Sequence, residues 1–412
     1  MLHWKTLTPA DWVRKGGEAL FLLLVLVVMI DPTNTVLHLK DVVFVALVGY
    51  NCVFFKPDFS YLPHILVVFA VVFLGMILGE MQLSNIDEEM LFGILKGFSP
   101  LVLLLWVRHY DVVRLTYFPV FTVCLLVVAL YIACTLSELA EVAIFEYSRA
   151  HNKMIMMTHR SFLGLKVFGM YYKSIISFVF ALFYFYYRVW NVPRRRWLYM
   201  VACGVVTFAF LVSGTRATML LPFAALAIVA YPTIQKWQRL RYAFYPILAV
   251  FVLCLLLLVF MLATERGEAS NNIKYAHLVS YAELFETHPE YLLFGQGPGA
   301  IFYSEGFHDW RSQTEWSYID LLRYYGLFAL GIVAVLLLPL FKLWPCRRHA
   351  KVFGLMGGYV AFLFIAGTNP LLVSSTGMIV VLAVYSLTHH LDAYVDAPPP
   401  EEAPERPRSV HL

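Results

Sequence analysis

Charge is what this chain has least of. Only 14% of its 412 residues are Asp, Glu, Lys or Arg, whereas a water-soluble domain carries roughly 25%. With 60% hydrophobic residues and a mean hydropathy of +0.71, no soluble fold could bury so much apolar surface. A soluble globular protein is thereby excluded, and a polytopic membrane protein remains. The net charge of +4 says little about partners. Its basic residues fall in short runs between apolar segments, which argues against nucleic acid as a ligand.

Other absences narrow the chemistry. The six cysteines, Cys52, Cys124, Cys134, Cys203, Cys254 and Cys346, lie in or beside apolar segments without metal-ligand spacing. They read as small buried hydrophobes, forming neither a disulfide framework nor a zinc site. The long connections hold no Asp-x-Asp pair and no His pair at helical spacing, so no metal or other cofactor is expected. Asp87-Glu88-Glu89 could hold a cation but reads first as a solvated acidic turn. No Gly-x-Ser-x-Gly elbow supports Ser-His-Asp catalysis. Neither an internal repeat nor a separate soluble domain is visible.

What is present is a series of apolar runs. A spanning helix needs about 20 mainly apolar residues. On that scale the chain holds about twelve spans, centred near residues 24, 45, 71, 98, 125, 180, 205, 224, 252, 330, 359 and 379. The fourth is interrupted by Lys96, Gly97 and Pro100. The first follows Lys5, Arg14 and Lys15, as a signal peptide would, but no small-residue cleavage site follows and Asp31-Pro32 comes next. It is therefore expected to be a retained helix. The fold class is all-α: one transmembrane domain over residues 1–390, then a disordered Pro- and Glu-rich tail over 391–412.

Orientation follows from Lys and Arg in the short loops. With the N-terminus in the cytoplasm, the inside connections hold Lys56; Arg108 and Arg114; Arg188 with Arg194, Arg195 and Arg196; Lys236, Arg239 and Arg241; and Lys342, Arg347, Arg348 and Lys351. The short opposite connections, Asp31 to Asn34, Glu80 to Glu89 and Gly367 to Pro370, contain neither Lys nor Arg. Both termini are thus expected in the cytoplasm. Two long connections, about 137–167 and 264–316, then fall outside, where the charge rule no longer applies.

The second long connection carries most of the chemistry. Asn271 or Asn272 could cap a helix reaching about Glu286, with Ile273, Ala276, Leu278, Tyr281, Leu284 and Phe285 as an apolar stripe. His288-Pro289 ends it, and Leu293-Phe294-Gly295-Gln296-Gly297-Pro298-Gly299 follows as a tight turn. Its glycines would let backbone approach backbone or ligand closely. It is no phosphate loop, because no Lys-Ser/Thr follows it.

Then come Arg311, Glu315, Tyr318, Asp320 and Arg323 at the mouth of the tenth span. Ionisable groups at a membrane boundary are costly to desolvate and mark a candidate substrate site. Asp320 and Arg323, at i and i+3, can pair on one helix face. Glu315 is either a general base towards a sugar hydroxyl or a helix-start residue favoured by the macrodipole. His308 is a second candidate base, without a visible orienting partner. Arg160, Arg216, Arg266, Arg311 and Arg323 all fall on the outer side. Their planar forks suit diphosphate oxygens, though each could instead snorkel to headgroups.

The order of these segments resembles the bacterial O-antigen polymerase and ligase superfamily, whose polymerases are called Wzy. Ser213-Gly214-Thr215-Arg216 resembles its Ser-Gly-Ser/Thr-Arg turn, Leu293 to Gly297 its Leu-Phe-Gly-x-Gly loop, and Glu315 to Leu327 its next helix. His159 to Leu165, with three residues between Arg160 and Gly164, loosely resembles an Arg-x-x-Gly stretch before an earlier span. Ligases of the family carry a His-Asn pair at this helix mouth. Counting back from Gly326 puts Glu315 and Trp316 there, and a Glu is similar to what polymerases show. The polymerases' Arg-x10-Gly spacing is not evident from Arg216, Arg266 or Arg311.

The resemblance implies a GT-C-like, metal-independent glycosyltransferase in the bacterial inner membrane, with its large periplasmic loop between helices 9 and 10. Its substrates would be undecaprenyl-diphosphate-linked oligosaccharides, and a chain-length regulator protein is a compatible partner. Arg216 and Glu315 would be catalytic. Arg160, Arg266, Arg311, His308, Arg323 and Tyr318 would bind substrate. A ligase and a polysaccharide or lipid transporter are the alternatives.

Overall fold

A computed structural model describes residues 8–82, 84–151, 154–162, 165–191, 196–213, 216–235 and 269–394. Eleven of the apolar runs appear as helical segments. They are α1 (Pro9–Ile30), α2 (Lys40–Phe54), α3 (Leu62–Met81), α4 (Glu88–Phe98), α5 (Val112–Leu136), α7 (Val179–Asn191), α8 (Arg196–Leu211), α9 (Arg216–Gln235), α13 (Ala329–Leu343), α14 (Ala350–Gly367) and α15 (Ser375–His389). The run near residue 252 lies outside the described residues.

Five segments are long and apolar enough to cross a membrane: Phe59–Met81, Glu88–His109, Val112–Leu136, Ser317–Cys346 and Ala350–Gly367. The chain is a helical, membrane-embedded protein. Large apolar side chains such as Phe73, Phe118, Phe341 and Phe364 lie on its outside; in water such a surface would aggregate, whereas lipid accepts it.

Helix α15 is the axis of the bundle. Every residue from Met378 to Leu387 is buried, as expected of a helix that is apolar all round and enclosed by others. It packs against α1, α4, α5, α13 and α14. Its Tyr385 hydroxyl donates to the Val335 carbonyl at 2.7 Å, and Tyr359 of α14 donates to the Leu336 carbonyl at 2.7 Å. Pro339 stands inside α13 and has no N–H to offer residue 335. Tyr385 satisfies the carbonyl that the proline strands, as a polar group in an apolar interior requires.

The fourth span changes character where its sequence is interrupted. Helix α4 stops at Phe98, and Ser99–His109 continues as a 3-10 segment with Pro100 in its first turn. Within that span, the exposed Lys96 ammonium lies 3.3 Å from Asp41 in the first turn of α2.

Contacts sort the helix ends onto two faces. One gathers Ile30, Met29, Asp87, Tyr172, Ser174, Gln296, Gly299, Ser317 and Asn369 through hydrogen bonds among them and their neighbours; we call it the loop face. The other gathers Asp58, Tyr61, Arg108, Asp111, Lys351, His389 and Tyr394; we call it the basic face. The alternation matches the expected order of the loops.

The structure is consistent with the expected all-α class, and the two long connections add short hairpins to it. In the first, α6 (Glu138–Ala150) precedes an antiparallel hairpin of β1 (Ile155–Phe162) and β2 (Leu165–Tyr172), in register from Ile155 with Tyr172 to Phe162 with Leu165. In the second, α10 (Ala269–Thr287) appears where the apolar stripe places it, followed by α11 (Glu290–Phe294). A short hairpin of β3 (Phe302–Ser304) and β4 (Asp309–Arg311) comes next, and then α12 (Ser317–Tyr325). The tenth span is thereby broken. Gly326, at φ +55°, ends α12, and α13 resumes at Ala329.

Candidate functional site

The glycine turn and the mouth of the tenth span form one unit. The N–H groups of Gln296 and Gly297 donate to the carbonyls of Arg323 and Tyr324, at 2.6 and 3.1 Å. They satisfy carbonyls that the end of α12 leaves without helical donors. Gly295 has φ +80°, and a Cβ there would overlap the Tyr324 carbonyl; a Cβ on Gly326 would overlap that of Leu293. The glycines therefore serve the approach of backbone to backbone. The next residues reach the α3–α4 connection, where Asp87 N–H donates to Gly299 O at 2.9 Å and Ile301 N–H to Asn85 O at 2.8 Å. Asp87 itself caps α4 and accepts from Ser312 Oγ at 2.9 Å, so this acidic residue serves structure.

Arg323 is the centre of that unit. It is fully buried, and its guanidinium donates to Asp320 Oδ1 (3.1 Å), Gln296 Oε1 (3.0 Å), Ala300 O (2.6 Å) and Ser312 O (2.5 Å). It also lies 4.4 Å from the Phe302 ring centroid. Asp320 is buried too, and accepts from the Tyr281 hydroxyl at 2.8 Å and from Thr314 N–H at 2.8 Å. Burial, then the Asp320 charge, pushes the Tyr281 hydroxyl well up, which keeps it a donor. The i, i+3 pair legible in the sequence thus ties α10, the glycine turn and the β3–β4 hairpin to α12. With every donor engaged and no exposed surface, Arg323 holds the loop rather than presenting itself to a ligand.

Glu315 lies beside this network, just before α12. Its carboxylate is 3.3 Å from Lys274 Nζ of α10, and both side chains keep about a third of their surface accessible. Lys274 also donates to Thr368 O at 3.2 Å, and its own carbonyl accepts from Trp316 Nε1 at 3.1 Å. Glu315 does not pair with Arg311, four residues before it. Helix α12 starts only at Ser317, so Arg311 belongs to β4 and pairs with Asp309 at 3.1 Å.

His277, one turn after Lys274, is fully buried, with Nδ1 2.8 Å from Ser304 Oγ and no partner at Nε2 among the described residues. Burial lowers its pKa, while Glu315 and Asp320 push back more weakly. From the first connection, Tyr171 of β2 comes close enough to feel the Glu315 charge. Its hydroxyl is pushed up by burial first and by Glu315 second.

The other expected site residues are more scattered. His308 has φ +50° in the β3–β4 turn and faces solvent, 3.8 Å from Glu305. Tyr318 packs its ring against Gly367 and donates to Leu363 O at 2.9 Å, so it holds α12 to α14. Arg216 opens α9 and Arg160 pairs with Val167 in the hairpin, but their side chains lie outside the described residues, as does all of Arg266. Sequence reasoning missed Lys274 and His277. Their i, i+3 spacing on α10 was the signal, hidden because only the apolar stripe of that helix was followed.

The arrangement offers one accessible carboxylate at the mouth of a membrane helix, with an ammonium beside it and a neutral imidazole behind. Among the described residues no group of His, Cys, Asp and Glu could hold a metal ion. No protein-family model, curated protein or solved structure matches this chain.

Proposed function

We propose that the chain is a polysaccharide polymerase of the Wzy kind, a GT-C-like glycosyltransferase of about twelve spans in the bacterial inner membrane, with its loop face periplasmic. The observation that carries the reading is Glu315, an accessible carboxylate at a helix mouth beneath the ordered second connection. In the reaction, Glu315 takes the proton of an acceptor hydroxyl on a lipid-linked repeat unit. The hydroxyl oxygen bonds to the anomeric carbon of the growing glycan. The bond from that carbon to the diphosphate breaks, and undecaprenyl diphosphate leaves with the electron pair. Arg216 would stabilise the charge growing on the diphosphate. Lys274, unforeseen in the sequence, would hold the carboxylate in place. Two prenyl tails would lie in grooves between helices.

Loss of the gene should collapse the lipopolysaccharide ladder on a gel to core plus one repeat, with rescue by wild type but not by Arg216→Ala. Disappearance of all repeats would point to a ligase or a flipping transporter. An unchanged ladder would move the test to capsule and exopolysaccharide. The broken tenth span is the one feature a transporter shares. Here, though, the break is filled by the glycine turn and its charges are matched within the protein.

A further inference from the structure

The basic face carries a cavity that the proposed reaction does not use. Asp111 and Arg114 of the α5 start, Tyr184 and Arg188 of α7, Lys351 of α14 and Tyr394 line a concave space of about 330 Å³. Three cations face one carboxylate. Asp111 is occupied: its Oδ1 accepts from the Tyr394 hydroxyl at 2.7 Å and from Arg114 N–H at 3.1 Å, capping α5. Lys351 donates to Ala393 O at 3.0 Å and lies 4.0 Å from the Tyr394 ring centroid.

Arg188 lies 4.6 Å from the Tyr199 ring centroid, donates to the Tyr199 hydroxyl, and has no acceptor at its buried Nε among the described residues. Neither Arg114 nor Arg188 has a carboxylate partner among the described residues. Arg188 is half-buried and Arg114 exposed, and the cavity's one carboxylate, Asp111, is engaged by Tyr394 and the α5 cap. An anion entering the cavity would meet donors from both guanidinium forks.

The site is separate from Glu315. Lys351 stands at the first turn of α14, and Thr368, whose carbonyl binds Lys274, caps its other end. Eighteen helical residues put the two about 27 Å apart at 1.5 Å per residue.

We propose that this cavity binds a phosphate-bearing anion, either the headgroup of an acidic phospholipid in the adjoining leaflet or a free phosphate of the same chemistry. Basic pockets between helix ends are where such headgroups are recognised, and the stacked rings of Tyr117 and Tyr184, with centroids 3.5 Å apart, wall one side. The proposal is independent of the glycosyltransferase reading.

The test is native mass spectrometry of the purified full-length protein titrated with phosphatidylglycerol or phosphatidylcholine, with and without inorganic phosphate. Wild type should retain phosphatidylglycerol over phosphatidylcholine. Arg114→Gln with Arg188→Gln should weaken retention on the order of tenfold, while Arg149→Gln, on exposed α6, should not. If the double variant fails to fold, Arg114→Gln alone alters an exposed side chain and should still weaken retention about fivefold. Selective lipid retention that phosphate does not displace identifies the headgroup. Displacement by phosphate, or a phosphate-dependent rise in Tm lost in the variant, identifies a free anion. Equal retention of both lipids with no phosphate effect, or indifference to the variants, overturns the proposal.

Discussion

Arg323 and Glu315 are eight residues apart in the same short block, and their surroundings assign them opposite tests. Removing the guanidinium of Arg323 leaves Asp320, Gln296 Oε1 and two carbonyls buried without their donor. Breaking a buried pair in this way costs about 3–5 kcal/mol. Arg323→Ala should therefore lower the amount of folded protein in the membrane, seen as loss of the full-length band after mild heating. Glu315→Gln keeps shape and accessibility, so abundance should match wild type while chain growth on the lipopolysaccharide gel is lost. Normal polymer from Glu315→Gln would remove it as the base.

His277 adds a pH dependence. Its folded pKa lies below the ordinary 6.5, so the unfolded state binds more protons as pH falls. Its stabilising share is fully present above about 6.5 and lost as pH drops through the lower folded value. Proteolysis of the second connection should quicken on acidification, and less so in His277→Gln. The Asp320–Arg323 pair was legible because helical spacing alone brings i and i+3 together. The Lys274–Glu315 pair was not, because it joins distant parts of the chain through a fold that no local pattern encodes.

At the scale of elements, the glycine turn and the end of α12 form a single joint. Gly295 and Gly326 sit at positive φ, each against the other's neighbouring carbonyl. A side chain at either position meets both strain and overlap, roughly 1–3 kcal/mol for the backbone alone. Gly295→Ala and Gly326→Ala should each reduce thermal stability. Gly49→Ala, in α2 with nothing within 4 Å of the added Cβ, should leave it equal or up to about 1 kcal/mol higher. Equal behaviour of the three variants in a melting assay would refute the joint.

Among the elements, α10 was readable from its apolar stripe; the expected asparagine cap was not found, because the helix starts at Ala269 and takes Asn271 and Asn272 into its first turn. The β1–β2 hairpin was not readable, although eight residues on each side of Leu163-Gly164 pair fully. Met, Thr, His and Arg in β1 mix with no clean alternation of apolar and polar. The break at Gly326 was also hidden, since hydropathy averages across a kink that only φ and the docking turn reveal.

The whole molecule is ordered by where charge is tolerated. Along α14, Lys351 and its neighbours Arg347 and Arg348 stand at one end, and the Glu315 unit stands at the other. Cations left in short loops are held on the cytoplasmic side during insertion, while long ordered connections cross regardless of charge. On that argument the basic face is expected in the cytoplasm, and the expectation can be checked without assuming any activity. Glu290 and Arg348 are both exposed, on the loop face and the basic face. A cysteine placed by Glu290→Cys should react with a membrane-impermeant maleimide in intact cells. One placed by Arg348→Cys should react only after the inner membrane is opened. The reverse pattern would turn the molecule over. Glu315 would then face the cytoplasm, away from lipid-linked repeat units on the periplasmic leaflet, and the polymerase reading would fall with the orientation.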